Sequence, residues 1–343
     1  MGRRLASVFW NRSEGRLRAG WRLAFYLLLL VLSAMVVQMA LIWASDPFLA
    51  RLSPALGVEI SRGFDGISAV FAIIVATAIA GRWLDRRRFG DFGFHLRRRW
   101  WIDFCFGLAL GALLMVGIFA VEWALGWATV TDVWRTTGDL PFAVAILLPL
   151  FAFVLVGYYE ELMVRGYLLR NLAEGLGFGP ISSRRALLLA WLLTSAFFGV
   201  LHVGNPNASL VSSANIGLAG LFLGLGILLS GELAIPIGLH ITWNFFQGNV
   251  FGFPVSGTRV SEATFVAIRQ TGLEAWTGGA FGPEAGLIGL IAIVIGCGLT
   301  FLWVYWRTGR IVVYTPFAEY RRRTDVQETN AESAEDADFH DLN

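Results

Sequence analysis

The sequence predicts an all-α polytopic membrane protein with about eight transmembrane helices, and three observations carry that reading. The 343 residues are 56% hydrophobic and only 15% charged, with a mean hydropathy of +0.62, whereas a soluble domain is nearer to about a quarter charged. Apolar runs long enough to cross a bilayer recur along the chain. Between them the arginines fall into clusters rather than being spread evenly.

The first 22 residues hold six arginines and one acid. Val8, Phe9, Trp10 and Trp21 lie among them, so residues 5–20 read as a basic, interfacial segment on the membrane surface. This start is not a cleavable leader. Its polar stretch runs to Arg22, and the apolar run that follows, 23–44, exceeds the roughly 7 to 15 residues of a secretory core. Spans are predicted at 23–44, 64–82, 102–124, 141–165, 186–203, 212–230, 233–250 and 285–306. Residues 23–140 thus form an N-terminal set of helices, 141–250 a central core and 285–306 the last span. A Gly-rich segment, 251–284, is too long for a simple connector and is expected to cap the extracytoplasmic face. The end, 307–343, reads as a cytoplasmic tail that is expected to be disordered. Its last part, 324–343, carries seven acids, no arginine and no apolar period.

The arginine clusters at 3–22, 82–99, 184–185 and 307–323 all fall on one side if both termini are cytoplasmic. That orientation places the chain in a cell's inner, or plasma, membrane as a multi-pass protein, with the lipid bilayer as its solvent. All 27 basic residues are arginine. A GC-rich bacterial genome explains this more simply than selection for guanidinium chemistry. Without lysine no G-x-x-x-x-G-K phosphate loop exists, which speaks against an ATP-driven pump. Cys105 and Cys297 lie in separate predicted spans and support neither a disulfide framework nor a cysteine metal site. Gly107 with Gly111, and Gly220 with Gly224, read as close-packing positions between helices. No nucleic-acid partner is expected.

Chemistry concentrates in the central core. Glu160, Glu161 and Arg165 lie in one apolar run, and His202 and His240 follow in two others, with Asn244 four residues beyond the second. Each ionisable side chain costs roughly 2.5 to 3.5 kcal/mol at a bilayer centre, so such a group persists where it pairs, coordinates something or lines a wet cavity. Glu161 and Arg165 are one helical turn apart and can pair. One arginine leaves Glu160 over. A surplus carboxylate and two imidazoles are the ligand types of a catalytic zinc site, with Glu160, His202 and His240 as the candidate ligands, or the parts of a metal-free general base. His240 and Asn244 project from one helix face toward the same point, where side-chain donors can stabilise an oxyanion. The chain contains no H-E-x-x-H, G-x-S-G or G-x-G-D.

E160-E-L-M-V-R165, F198-G-V-L-H202 and H240-I-T-W-N244, in that order and each on an apolar helix, resemble the three motifs of the CAAX-protease and bacteriocin-processing (CPBP, or Abi) family. The likeness extends over about residues 145–250 and includes H202-V-G-N-P-N207 and N215-I-G-L-A-G220. It implies an eight-helix intramembrane endopeptidase whose cavity opens toward the cytoplasm and whose substrate is a membrane-associated protein or peptide. It further implies that Glu160 and His202 activate the hydrolytic water, that His240 and Asn244 hold the oxyanion, and that Glu161 and Arg165 orient them. The family is commonly named as metalloproteases, so a divalent metal such as zinc is an implied cofactor beside a purely glutamate-based mechanism. Two other classes fit an intramembrane Glu and His. One is a non-catalytic peptide-binding or immunity protein of the same fold; the other is a small-solute transporter, against which stands the lack of an internal repeat.

Depth constrains the fourth span. If Arg165 marked its edge, Glu160 would lie about 8 Å from one face and His202 about 25 Å from it, at about 1.5 Å per residue. The two share a site only if Arg165 lies inside the bundle, the fourth helix continues to about Arg170, and the fifth begins below the membrane surface.

Overall fold

The computed structural model describes residues 7–49, 54–138, 140–178, 180–259 and 263–320. Seven helices among them are long and apolar enough to cross a membrane. α1 (Ala19–Leu49) and α2 (Pro54–Ile79) pack as an outer pair. α1 shows Leu28, Val31, Met35, Val36 and Met39 outward, as a lipid-facing helix does. α2 continues through a π-helical turn, Ala80–Leu84, to Asp85. α3 (Arg98–Ala124) crosses next.

The fourth span is longer than the apolar run suggests. α4 (Leu147–Glu161) passes through a π-helical segment, Leu162–Leu168, into α5 (Leu169–Leu176), so the helical stretch runs from Phe142 to Leu176. Arg165 is fully buried within it. The depth paradox is thereby removed: Glu160 stands about 24 Å above Leu176, and His202 about 28 Å above the start of the next helix, at about 1.5 Å per residue.

α6 (Ser183–Leu201) is capped by Ser182, which accepts from the Arg185 amide at 3.4 Å. α7 (Leu210–Ser230) begins with a Ser209/Ser212 capping box and ends on Gly231 in the left-handed region. α8 (Ala234–Phe245) is only 12 residues long and is extended by a π-helical turn, Phe246–Val250; this pair is the predicted span 233–250. It is buried nearly all round, because α3, α4 and α7 enclose it. A Cβ on Gly107 of α3 would stand 2.5 Å from the Ile235 carbonyl oxygen, so that glycine is what lets the two backbones meet. Gly220 is close, though less tight, against Ser195 of α6, where a Cβ would stand 3.1 Å from its Cα. α9 (Leu287–Thr308) closes the bundle against α7.

Two departures from the sequence reading concern the connections. The segment 251–284 carries a strand, β4 (Ala263–Gln270), which pairs antiparallel with β3 (Ala128–Thr136) between α3 and α4. β3 and β4 follow a two-residue pair near the N-terminus, β1 (Trp10–Asn11) and β2 (Arg16–Leu17). The expected tail from 307 is structured as far as Tyr320: Tyr314 donates its amide to the Leu228 carbonyl at 2.9 Å, and Phe317 and Ala318 are buried. Residues 321–343, for which disorder was expected, lie outside the described residues, as do residues 5 and 6 of the interfacial segment. Val8, Phe9, Trp10 and Trp21 of that segment are exposed.

On the arginine-rich face the N-terminal segment is tied down by ions. Arg16 and Arg22 reach Glu174 at the end of α5 at 2.6 and 3.0 Å, Arg22 reaches Asp85 at 2.6 Å, and Arg87 also binds Glu174. All these groups are buried or nearly so. Burial pushes the Asp85 carboxyl above its ordinary range, opposed by Arg22.

Candidate active site

Glu160 and Glu161 occupy the last turn of α4, where the helix widens into its π segment. Such a widening aims side chains that a regular helix would turn away, and π turns often mark functional positions. Glu161 is fully buried. One oxygen, Oε1, accepts from Arg165 at 2.9 Å and from His240 Nδ1 at 2.8 Å. Arg165 also donates to the Gly220 carbonyl at 3.0 Å and stacks over the Phe198 ring at 4.3 Å. Glu161 and Arg165 therefore join α4, α7 and α8 at one point. The i,i+4 pair was legible in the sequence; its bond to His240 was not.

The Glu161 contact fixes the His240 ring. A carboxylate can only accept, so Nδ1 carries the proton and Nε2 points away from it. That Nε2 lies 3.9 Å from Glu160 Oε2, too far for a direct hydrogen bond. Glu160 has no guanidinium partner. Its Oε1 accepts from the Tyr159 hydroxyl at 3.4 Å, while Oε2 is buried without a hydrogen-bond partner.

His202 caps the end of α6 and donates from Nδ1 to the Phe198 carbonyl at 2.8 Å, again leaving Nε2 free. Phe198 packs between the two imidazoles, with ring centroids 4.7 Å from His202 and 6.2 Å from His240. The aromatic position of the second motif is thus a spacer for both histidines and a lid on Arg165.

Glu160, His202, His240 and Asn244 all line one cavity of about 250 Å³. Its remaining polar wall comes from residues that the sequence reading did not single out: Asn205, Ser256, Thr258 and Glu284. Glu284 is buried in a short turn before α9 and accepts from Ser256 Oγ at 3.0 Å and from Gln247 Nε2. Its carboxyl is held above its ordinary range by burial, which the hydrogen bonds oppose. Asn205 donates to the Ser256 carbonyl at 2.9 Å. Val255, Ser256, Thr258 and Glu284, from the connection between α8 and α9, thus form one wall of the cavity.

The metal expectation can be tested on this geometry. Two free Nε2 atoms and an unpartnered carboxylate oxygen are suitable donors, and each imidazole is oriented by a hydrogen bond at its other nitrogen. Yet among the described residues no three His, Cys, Asp or Glu side chains stand close enough to share an ion. The spacing does not fit a preformed three-ligand site.

With the geometry in view, the comparisons add one match. Residues 141–246 fit the family model described as type II CAAX prenyl endopeptidase Rce1-like. This segment is Rce1-like. It contains Glu160, Glu161, Arg165, His202, His240 and Asn244, so every residue of the three motifs falls inside the match. No curated protein and no solved structure gave a match.

Proposed function

We propose that this protein is an intramembrane endopeptidase that hydrolyses a peptide bond in a membrane-associated protein or peptide, from a plasma membrane in which both termini are cytoplasmic. The observation that carries this reading is Glu160 Oε2: a buried carboxylate oxygen without a hydrogen-bond partner, 3.9 Å from His240 Nε2, on a residue that lines one cavity with His202, His240 and Asn244.

The chemistry follows from those atoms. Glu160, in the cavity that His202 also lines, takes a proton from the water as its oxygen attacks the scissile carbonyl carbon. Negative charge then develops on the carbonyl oxygen. Asn244, and His240 when protonated at Nε2 and steadied through Nδ1 by Glu161, supply donors for that charge. The proton held by Glu160 passes to the amide nitrogen as the C–N bond breaks, leaving a carboxylic acid and an amine. Arg165 holds Glu161 in place through their ion pair.

No step requires a bound ion, in keeping with the ligand spacing. Activity is expected to survive exhaustive chelation; loss on chelation that zinc restores would replace this account with a metal-activated water. The direct test compares membrane-fraction proteomes of wild type and Glu160→Gln. A peptide terminus present in the first and absent from the second identifies the substrate. If Glu160→Gln fully complements a deletion phenotype, the cavity serves binding or immunity instead.

A further inference from the structure

The cavity carries an acid that the proposed chemistry does not use. Glu160 and Glu284 are the two carboxylates among its lining residues, and no arginine is among them. Arg165, one turn beyond Glu161, is committed to that neighbour. Glu284 comes from outside the three motifs, on the short turn Pro283–Ala285 before α9, and is only 3% exposed. Its Oε1 accepts from the Ser256 amide at 2.5 Å and from the Ser256 hydroxyl at 3.0 Å, and its Oε2 accepts from Gln247 Nε2. All of these donors are neutral, and burial still holds the carboxyl above its ordinary range.

A buried carboxylate without a counter-charge is costly, and neutral hydrogen bonds offset only part of that cost. Elsewhere the chain supplies the counter-charge itself: Glu174 meets Arg16, Arg22 and Arg87, and Glu161 meets Arg165. Anchoring the loop accounts for the hydrogen bonds of Glu284 but not for its being an acid. A glutamine there would accept from Ser256 equally well, and Gln247 Oε1, which is buried without a partner, would gain a donor. The carboxylate has four acceptor positions and three donors, so one position remains for a ligand. Much of the other wall is apolar, with Phe153, Val156, Phe222, Leu223 and Ile293. An apolar sleeve that also holds a carboxylate complements a lysine or arginine side chain, which buries a hydrocarbon stem and carries its charge at the tip.

We infer that Glu284 is a specificity-determining residue that holds the cationic tip of a lysine or arginine side chain of the substrate, so that the cleaved segment carries a basic residue close to the scissile bond. This rests on the cavity being the proteolytic site.

Binding of an amphipathic cation tests the subsite without any assay of cleavage. The probes are N-butylguanidinium, an arginine tip on an alkyl stem, and N-butylurea, its uncharged counterpart. Each is titrated into the full-length, detergent-solubilised protein, and the rise in melting temperature is followed to saturation. N-butylguanidinium should stabilise the wild type and N-butylurea should not. Glu284→Gln should weaken the guanidinium response by about tenfold or more, as loss of a charge-assisted hydrogen bond does, and Glu160→Gln should weaken it less. Equal responses to the two probes, equal responses from wild type and Glu284→Gln, or no response from wild type each overturn the inference. A larger loss in Glu160→Gln overturns it in favour of Glu160 as the cation's partner. If Glu284→Gln does not accumulate, Thr258→Arg, on the turn that carries Ser256, supplies a guanidinium from the chain itself and should abolish the response, while Thr258→Met, similar in length and uncharged, keeps it. A response unchanged in Thr258→Arg overturns the inference. Failure here leaves the proteolytic reading intact, since that reading is decided by cleavage in Glu160→Gln.

Discussion

The molecule buries charge in two places, and the two treat it differently. On the arginine-rich face, Asp85 and Glu174 each meet a guanidinium within 3 Å, and the cluster fastens the N-terminal segment to α5 and to the turn after α2. In the cavity, Glu161 is paired in the same manner with Arg165, but its neighbour Glu160 faces an imidazole at 3.9 Å and no arginine. Paired burial holds helices together. An unpaired, partly buried carboxylate beside a cavity is costly to keep and is retained where its basicity is used. The comparison therefore assigns structure to Glu174 and Glu161, and proton transfer to Glu160.

The strongest way to break that assignment is to exchange the two kinds of glutamate. Glu160→Gln keeps size and removes the base, so proteolysis should be abolished, by about 10²- to 10⁴-fold or more, while the protein inserts and accumulates as wild type. Glu174→Ala should do the converse: Arg16, Arg22 and Arg87 lose the carboxylate they share, abundance in the membrane falls, and activity per folded molecule is retained. If Glu160→Gln instead lowers abundance and leaves cleavage intact, the distinction collapses. Arg165→Ala should show both defects, because it strands Glu161 beside His240; removing one partner of a buried pair typically costs about 3–5 kcal/mol. Quantitative immunoblotting paired with cleavage of the substrate found by proteomics separates the three. Asn244→Ala is milder still. Loss of one oxyanion donor typically lowers the rate by about 10²- to 10³-fold, with residual cleavage and normal abundance; a fully active variant would remove Asn244 from the mechanism.

The same contrast explains how far the sequence could be read. Ionisable residues are conspicuous in apolar runs, so Glu160, Glu161, Arg165, His202, His240 and Asn244 could be found from hydropathy and helical spacing, and so could the segregation of arginine. Glu284 could not. It lies in a Gly-rich connection, where an acid looks like ordinary surface, and only the fold buries it against Gln247 and Ser256. The one local hint is its place in Gly282-Pro283-Glu284, directly before an apolar span. Asn205 sat inside a quoted motif, yet its partner is 51 residues away in the chain. The length of the fourth span was recoverable only through depth, because α5 is amphipathic rather than apolar and hydropathy ends at Arg165. Arg170 and Glu174, one turn apart, were the available sign that the helix continued.

The smallest expected effect lies between the two regions, at the arginine-rich end of the bundle. His95 Nδ1 meets Glu232 at 2.8 Å, joining the connection before α3 to the turn between α7 and α8 that carries His240. The hydrogen bond to Glu232 holds the imidazole above its ordinary pKa, outweighing the opposing effect of burial. A raised folded-state pKa means that the protonated form favours the folded state. Its contribution is fully present below the unfolded value of about 6.5 and fades as pH rises through the higher folded value. The pair is substantially exposed and screened, so the effect is modest. Detergent-solubilised wild type should lose a small part of its thermal stability as pH rises from mildly acidic to mildly alkaline, and His95→Gln should flatten that dependence without altering cleavage at fixed pH. A slope unchanged in His95→Gln would place the pH-sensitive group elsewhere, with Asp85, whose raised carboxyl gives the same sign, the next group to replace; a slope of opposite sign would rule out both.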